Sequence, residues 1–247
     1  MTEGLSTFRE WTVSLWWTFA PWFLQNLIWI PTRIILHLFF HIRIEGKEYV
    51  RHLSGPVIFA VNHTSFWDPI FVAGALPWFS RRYPVLYVAR ERSYYYRYGK
   101  YFPMFLFKIW GAHPAHGGLR DYAASLSAHE DFLKKGMTLC MFPEGKVART
   151  TTEIQPFKGG IGYLMYETKA TVVPVALTGT YGMSFSKIIR GNYKVVVSFG
   201  MPISLNDIPS QITQDDESVA PVKIYKEIAR IIWERTYTIF EKNKKEI

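Results

Sequence analysis

The feature that most constrains the fold of this 247-residue chain is a series of short runs made almost entirely of apolar residues. A continuous apolar run is typical of a strand that is buried on both faces of its sheet, and such a sheet needs helices on both sides. The sequence predicts these strands at residues 42–45, 57–61, 85–89, 138–142, 172–177 and 193–199. The chain is therefore predicted to be an α/β protein with a single mixed sheet flanked by helices.

Between these strands, apolar residues recur at the spacing of a helix. It predicts helices over residues 69–76, 119–135, 157–168 and 219–241, with Gly136 ending the second of them. One strand contains Pro174, and a proline lacks the N–H that a ladder needs. The sequence therefore predicts that Pro174 lies on an edge strand or at a bulge.

The N-terminal segment is uncharged from residue 11 to residue 32 and rich in tryptophan, and its apolar character continues to Phe40. Tryptophan is enriched at the membrane–water interface, and Pro21 and Pro31 interrupt the run. The sequence favours a broken helical anchor bedded in one leaflet, over residues 1–41. A true membrane span and a helix packed on the protein's own core are the alternatives.

The formal net charge is +9, and residues 81–100 contain six basic residues against Glu91 alone, interleaved with tyrosines. This stretch suits an anionic lipid surface, an acidic carrier protein or a plain solvated face. No recognised nucleic-acid motif accompanies it, so nucleic acid is not an expected partner. The single cysteine, Cys140, lies in an apolar run, which excludes a disulfide framework and indicates a small buried side chain.

His63 and Asp68 are the first candidates for chemistry. Five residues of separation would put them roughly 140° apart on a continuous helix, so they meet only if the segment turns. A strand ends at Val61, and Asp68-Pro69 is typical of a helix N-cap followed by proline. A carboxylate at this corner can orient an imidazole as a general base. The alternatives are a histidine that satisfies a helix cap, or a zinc site with His113 and His116, which Pro114 and the lack of a His-Glu-x-x-His motif disfavour.

Three further motifs accompany this pair. Phe142-Pro143-Glu144-Gly145 places a turn with a carboxylate at the end of an apolar strand. Phe157-Lys158-Gly159-Gly160 offers a flexible cationic side chain shortly afterwards. Val173-Pro174-Val175 lies inside a later strand.

In this order and spacing, the motifs resemble those of the glycerolipid acyltransferase family, especially the bacterial 1-acyl-glycerol-3-phosphate acyltransferases. The resemblance covers about residues 42–203. Asn62-His63-Thr64-Ser65-Phe66-Trp67-Asp68 matches the first block of the family, Phe142-Pro143-Glu144-Gly145 the third and Val173-Pro174-Val175 the fourth. It implies a catalytic domain over residues 42–247, with His63 as general base, Asp68 as its orienting partner and Glu144 helping to place the acceptor.

The resemblance implies transfer of a fatty acyl group from acyl-CoA or acyl carrier protein to 1-acyl-glycerol-3-phosphate. The product is phosphatidate, and no metal or redox cofactor is implied. Backbone amides near Gly145 or Val175 are candidate donors to the developing oxyanion. The enzyme is expected at a membrane, on the cytoplasmic face of the inner membrane. Another lysolipid acceptor, or a non-catalytic membrane-binding protein of the same fold, is the alternative.

Two departures from the family pattern concern the site for the acceptor's phosphate. The family usually places an arginine close after a Gly-x-x-Pro-like stretch, whereas the nearest arginine here is Arg120. The third block usually continues with a small polar residue and arginine, whereas this chain has Lys146 and, later, Arg149. The expected substrate-binding residues are therefore Glu144, Gly145, Lys158, Arg120 and Arg149.

Overall fold

The secondary structure alternates between strands and helices, as the sequence predicts. A computed structural model describes residues 2–90, 104–116, 121–148, 153–183, 193–213 and 221–245. The strands are β1 Arg43–Glu45, β2 Val57–Val61, β3 Val85–Arg90, β4 Ala112–Ala115, β5 Thr138–Met141, β6 Thr171–Thr178 and β7 Val196–Phe199. The helices are α1 Thr2–Phe40, α2 Lys47–Arg51, α3 Asp68–Ala75, α4 Met104–Trp110, α5 Tyr122–Lys134, α6 Gly160–Thr168, a 3₁₀ turn Leu205–Asp207, α7 Ser210–Thr213 and α8 Pro221–Lys244.

The described strands form one seven-stranded sheet in the order β1-β7-β6-β2-β5-β3-β4. Only the β6–β7 pair is antiparallel, which confirms the predicted mixed sheet. Strand β2 is buried throughout. Ile58 and Ala60 pack with α5, α6 and α8 on one face of the sheet, and Val57, Phe59 and Val61 pack with α1 and α3 on the other.

The sequence prediction misses short elements and misplaces some helix ends. Strand β4 contains His113 and Pro114 between two alanines, so it has no apolar run to reveal it. Helix α5 begins three residues later than predicted because the Asp121 side chain caps it, accepting from the Ala123 N–H at 2.9 Å. Gly136 follows this helix with φ +77°, as expected of a residue that ends a helix.

Pro174 lies in an internal strand, so of its two predicted positions the edge strand is wrong, whereas a bulge is found beside it. Strand β6 pairs with β2 on one side and with β7 on the other. The ladder with β7 is irregular here: it stops at Val175 opposite Phe199 and resumes as a bridge between Val172 and Ile203. Two residues of β6 therefore face three of its neighbour, and the proline carbonyl accepts from the Gly200 N–H at 2.7 Å. An interior proline is tolerated because the neighbouring chain bulges beside it.

Cys140 confirms the prediction of a small buried side chain. It lies in β5, is fully buried and forms no disulfide. Burial raises the pKa of its thiol, so the residue behaves as part of the core rather than as a nucleophile.

Helix α1 is continuous through Pro21 and Pro31, so the predicted break in this segment is wrong. Side-chain contacts join it to the rest of the fold. The Gln25 amide donates to the Val85 and Trp110 carbonyls at 2.9 and 3.0 Å and accepts from the Val85 N–H at 2.9 Å. Arg33 donates to the Gly74 carbonyl at 2.6 Å. Tertiary contacts of this kind offset the hydrogen bonds that a proline removes from a helix.

The opposite face of α1 is apolar and exposed. By length and composition, the segment Thr18–Phe40 could cross a membrane. Its outward residues recur at helical spacing and are 45% to 67% exposed: Phe19, Phe23, Leu27, Ile30, Ile34 and Leu38. The exposed side chains of Trp78 and Phe79 extend this surface, since Trp78 stacks on Trp29 with ring centres 6.3 Å apart. We call these eight residues the apolar face.

Candidate active site

The candidate site lies where two neighbouring parallel strands end. Strands β2 and β5 pair in parallel, with Ala60 opposite Met141. The loop with His63 follows β2, and the turn with Glu144 follows β5. The carboxyl ends of adjacent parallel strands form the usual binding crevice of an open α/β sheet, and the fold therefore brings these two motifs together.

His63 and Asp68 meet across a turn, as the sequence predicts. Nδ1 of His63 lies 2.9 Å from Oδ2 of Asp68. The same carboxylate oxygen accepts from the backbone N–H groups of Thr64 and Ser65, each at 2.8 Å. One oxygen of a fully buried carboxylate thus holds both the imidazole and the loop that carries it.

Asp68 is the first residue of α3 rather than its N-cap, which corrects the prediction. Trp67 occupies the cap position, and its carbonyl accepts from the N–H groups of Ile70 and Phe71. The Asp68 carboxylate points back towards the preceding loop because the amides there need an acceptor. Pro69 is therefore the second residue of the helix rather than the first, and it remains within the first turn.

The hydrogen bond to Asp68 fixes the tautomer of His63. A carboxylate only accepts, so Nδ1 carries the proton and Nε2 carries the lone pair. Nε2 has no hydrogen-bond partner among the described residues. The ring stacks on Phe142 with centres 4.1 Å apart, and its side chain is 17% exposed. The arrangement is that of an oriented general base.

Glu144 is anchored on both of its oxygens. Oε1 accepts from the His63 N–H at 2.7 Å, and Oε2 accepts from the Gln155 N–H at 3.1 Å. The residue is only 2% exposed. Burial raises the pKa of its carboxyl group, and the two amides oppose that shift in part.

Gly145 and Lys158 lie side by side next to Glu144. The glycine has φ +73°, and a Cβ placed on it would lie 2.6 Å from Nζ of Lys158. The Lys158 N–H also donates to the Pro143 carbonyl at 3.0 Å, which ties its segment to the turn after β5. The structure thus unites His63, Asp68, Glu144, Gly145 and Lys158. Arg120 and Arg149 lie outside the described residues, as does the second half, residues 91–100, of the basic stretch 81–100.

Three side chains of the site were not predicted to act in it. The Asn62 amide donates to the Leu177 carbonyl at 2.8 Å and accepts from its N–H at 2.7 Å, joining the ends of β2 and β6. The hydroxyl groups of Thr64 and Thr180 lie 2.6 Å apart in the same buried region. An asparagine directly after a fully apolar strand was the available signal, since a buried amide needs partners.

The two candidate positions for oxyanion donors, near Gly145 and near Val175, have different surroundings. The N–H groups of Lys146 and Val147 have no hydrogen-bond partner in the described part of the chain. Val175 is fully buried in the interior of the sheet, paired with Val61 and Phe199. Of the two candidate oxyanion positions, the one near Gly145 therefore has donors available.

His113 packs in the core rather than beside His63. Its ring lies 4.6 Å from that of Phe132, and its carbonyl accepts from His129 Nε2 at 3.2 Å. Burial lowers the pKa of both histidines to about 4, so they are neutral at pH 7. Over the described ranges, no three His, Cys, Asp or Glu side chains converge as a metal site requires.

Comparison with known sequences places these motifs in one family. The sequence model of the family described as Acyltransferase matches residues 41–178, which include the His63, Asp68 and Glu144 motifs. A protein of Mycoplasma pneumoniae named "Probable 1-acyl-sn-glycerol-3-phosphate acyltransferase" is 26% identical over 186 residues, covering 70% of this chain and 65% of that protein. The 1-acyl-sn-glycerol-3-phosphate acyltransferase of Limnanthes douglasii is 26% identical over 205 residues, covering 81% of this chain and 65% of its own. The chain thus spans about 65% of the length of these relatives.

A solved structure shares the fold. The crystal structure of the 1-acyl-sn-glycerophosphate (LPA) acyltransferase PlsC from Thermotoga maritima aligns with a TM-score of 0.62. The alignment covers 89% of this chain and 81% of that one at 18% sequence identity. At this identity the likeness concerns the arrangement of helices and strands alone, and it confirms the predicted fold class.

Proposed function

Because the chain belongs to the acyltransferase family, we propose that it moves a fatty acyl group from a thioester to the free hydroxyl of 1-acyl-glycerol-3-phosphate. The product is phosphatidate, a precursor in phospholipid biosynthesis. The observation that carries the proposal is the hydrogen bond from His63 Nδ1 to the buried Asp68 carboxylate, which leaves Nε2 free as a base. The names of the relatives from Mycoplasma pneumoniae and Limnanthes douglasii support the choice of acceptor.

The proposed reaction is a direct transfer. His63 Nε2 removes the proton of the lipid hydroxyl as its oxygen attacks the thioester carbon. Asp68 stabilises the imidazolium that forms. Collapse of the tetrahedral intermediate breaks the carbon–sulfur bond, and the imidazolium returns the proton to the departing thiolate. The sequence of steps is redox-neutral and uses a side-chain base, so the proposal includes no metal or redox cofactor.

We place the oxyanion against the turn after β5. The unused N–H groups of Lys146 and Val147 follow Gly145, whose neighbour Glu144 bonds to the His63 backbone. Fixed backbone donors cost no reorganisation during the reaction, which is why acyl-transfer enzymes use them. The donor is proposed to be acyl-CoA or an acyl carrier protein, which present the same thioester.

Lys158 is our candidate for the acceptor's phosphate. Its ammonium group lies against Gly145, it is exposed, and no carboxylate pairs with it in the described part of the chain. The family resemblance adds Arg120 and Arg149 as further candidates. A cation beside the base can hold the phosphate while the hydroxyl reaches Nε2.

Replacing Gly145 by alanine tests this role of Lys158. The new Cβ would displace the Lys158 ammonium, so we expect the KM for 1-acyl-glycerol-3-phosphate to rise by about 10-fold, the equivalent of about 1.4 kcal/mol. Gly55→Ala is the matched control, since Gly55 has φ +71° and nothing within 4 Å of its Cβ position. Both variants lose about 1–2 kcal/mol of stability through backbone strain. Equal KM values in the two variants would show that Lys158 does not bind the phosphate of the acceptor.

We propose that α1 lies within one leaflet, with the apolar face in the lipid, on the cytoplasmic side of the inner membrane. Gln25 and Arg33 bind the domain along the other side of the helix. A helix held in this way presents one face to lipid, as an interfacial helix does, and lipid cannot surround it. The acceptor and the product are lipids, so this location places the site beside its substrate.

The membrane contact is tested by changing the apolar face alone. We expect the double variant Leu27→Glu and Leu38→Glu to lose most of its binding to anionic lipid vesicles in a flotation assay, because charges in the lipid are costly. Both positions are exposed, at 61% and 67%, so the fold should tolerate the change. Deleting α1 is a poorer test because it uncovers the core around Leu36 and Phe40.

The control for this measurement is Val222→Glu. Val222 is 41% exposed at the start of α8, which packs on the other face of the sheet from α1. This variant should float with the vesicles like the unaltered protein. Full vesicle binding by the Leu27→Glu and Leu38→Glu protein would place the membrane contact elsewhere on the molecule.

The activity itself is tested by incubating the full chain with an acyl thioester and 1-acyl-glycerol-3-phosphate. We expect release of free thiol together with phosphatidate detected by mass spectrometry. Parallel reactions with acyl-CoA and acyl carrier protein, each against several lysolipids, identify the donor and the acceptor. Thiol release with a different lysolipid only would reassign the acceptor. No release with any pair would favour a non-catalytic membrane-binding protein of this fold.

A further inference from the structure

We infer that Glu144 is a positioning residue that holds the backbone of His63, rather than a contact of the acceptor lipid. The inference deepens the proposed function and rests on it for the identity of His63 as the base. It departs from the role that the family resemblance implies for this carboxylate. The contacts of Glu144 carry the argument.

Both oxygens of Glu144 are already used by the protein. One accepts from the His63 N–H and the other from the Gln155 N–H. With 2% of the residue exposed, little of it is left to touch a substrate. A buried carboxylate that accepts hydrogen bonds from two backbone amides is typical of a residue that holds segments of the protein together.

His63 is held at three points, and two of them come from the segment after β5. Its N–H donates to Glu144 at 2.7 Å, and its carbonyl accepts from the Ala148 N–H at 2.8 Å. The third point is the ring nitrogen bound to Asp68. Asp68 therefore sets the orientation of the ring, whereas Glu144 and the backbone at Ala148 set the place of the Cα atom from which the ring extends.

The same carboxylate also aligns a third segment. Gln155 lies in the stretch that leads to Lys158, whose N–H donates to Pro143 in the turn of Glu144. One side chain thus keeps the loop of the base, the turn after β5 and the segment of Lys158 in fixed relation. Reacting groups must be held to within a fraction of an ångström, and a misplacement of about 1 Å can cost about 100-fold in rate.

The test separates positioning from acceptor binding through kcat and KM. We expect Glu144→Gln, which can still accept one of the two hydrogen bonds, to lower kcat by about 10-fold, and Glu144→Ala by about 100-fold. The KM values for 1-acyl-glycerol-3-phosphate and for the thioester should stay within about 2-fold of those of the unaltered enzyme. Glu153→Gln makes the same chemical change at a half-exposed carboxylate nearby, which pairs with Lys244 rather than with the loop of His63, and should leave kcat unchanged.

A second measurement makes the inference independent of turnover. Hydrogen exchange at the His63 backbone amide should become about 10-fold faster in Glu144→Gln, because its acceptor is weakened, while amides in α8 keep their protection. A KM for the acceptor that rises about 10-fold at unchanged kcat would overturn the inference, as would unaltered exchange at His63. If the unaltered protein transfers no acyl group, the proposed function fails, and the exchange measurement still decides whether Glu144 holds His63.

Discussion

His63→Ala should lower the rate of acyl transfer by about 100- to 10,000-fold, the range that a positioned general acid–base group contributes. The reason is the loss of the Nε2 lone pair, which Asp68 keeps available by binding the proton on Nδ1. The measurement is thiol release with saturating acyl-CoA and 1-acyl-glycerol-3-phosphate. Binding of both substrates should persist, because the ring is proposed to act on the hydroxyl proton and not to hold either lipid.

The control for this variant is a second histidine of the same chain. His52 is exposed and follows α2, away from the strand ends that form the site, so His52→Ala should retain full activity. Thermal unfolding of His63→Ala should match that of the unaltered protein within a few degrees, since the ring makes one side-chain hydrogen bond. Undiminished turnover by a folded His63→Ala protein would exclude His63 as the base.

Asp68 should give the second large effect, and two variants separate its charge from its hydrogen bonds. Asp68→Asn keeps an oxygen for the amides of Thr64 and Ser65 but removes the charge that stabilises the imidazolium. We expect it to lower kcat by about 100- to 1,000-fold with little change in KM. Asp68→Ala leaves both amides without an acceptor, and we expect about 2–5 kcal/mol of stability to be lost as well.

Urea unfolding and thiol release together test these two expectations. Asp121→Asn is a matched control, because Asp121 caps α5 and its replacement should change stability by less than about 1 kcal/mol with no effect on kcat. A folded Asp68→Asn protein with normal kcat would show that the carboxylate serves the loop alone. A fully stable Asp68→Ala protein would show that the hydrogen bonds to Thr64 and Ser65 contribute little.

Much of the sheet could be predicted because its strands are buried on both faces. Strand β2 is found at the predicted residues, β3 and β5 differ by one residue at one end, and β6 is one residue longer at both ends. Strand β4 was not predicted because His113 and Pro114 interrupt any apolar pattern. The continuity of α1 and the interior place of Pro174 were not predicted for another reason. Both depend on partners far away in the chain, Val85 for Gln25 and Gly200 for Pro174.

For five of the seven predicted site residues, the sequence indicated which side chains come together. Motif spacing indicated His63, Asp68, Glu144, Gly145 and Lys158, and the described structure brings all five to one end of the sheet. The direction in which the side chains of the two carboxylates point was not predictable. Asp68 faces backward to its own loop, and Glu144 faces the backbone of His63. Direction depends on which amides lack an acceptor once the strands have paired, and a linear motif does not contain that information.

The order of strands in the sheet has a consequence for how the protein is made. Strand β1 has β7 as its neighbour, about 150 residues further along the chain, and β2 lies between β5 and β6. At about 5–20 residues per second, a ribosome needs roughly 8 to 30 seconds to supply the partner of β1. Until β5 is made, about 80 residues after β2, the fully apolar β2 has no strand beside it, while the exposed side of α1 is already available to lipid. The nascent chain therefore passes through a period when an unpaired apolar strand favours aggregation, and an early contact of α1 with lipid would shorten the time that its apolar side is exposed to water.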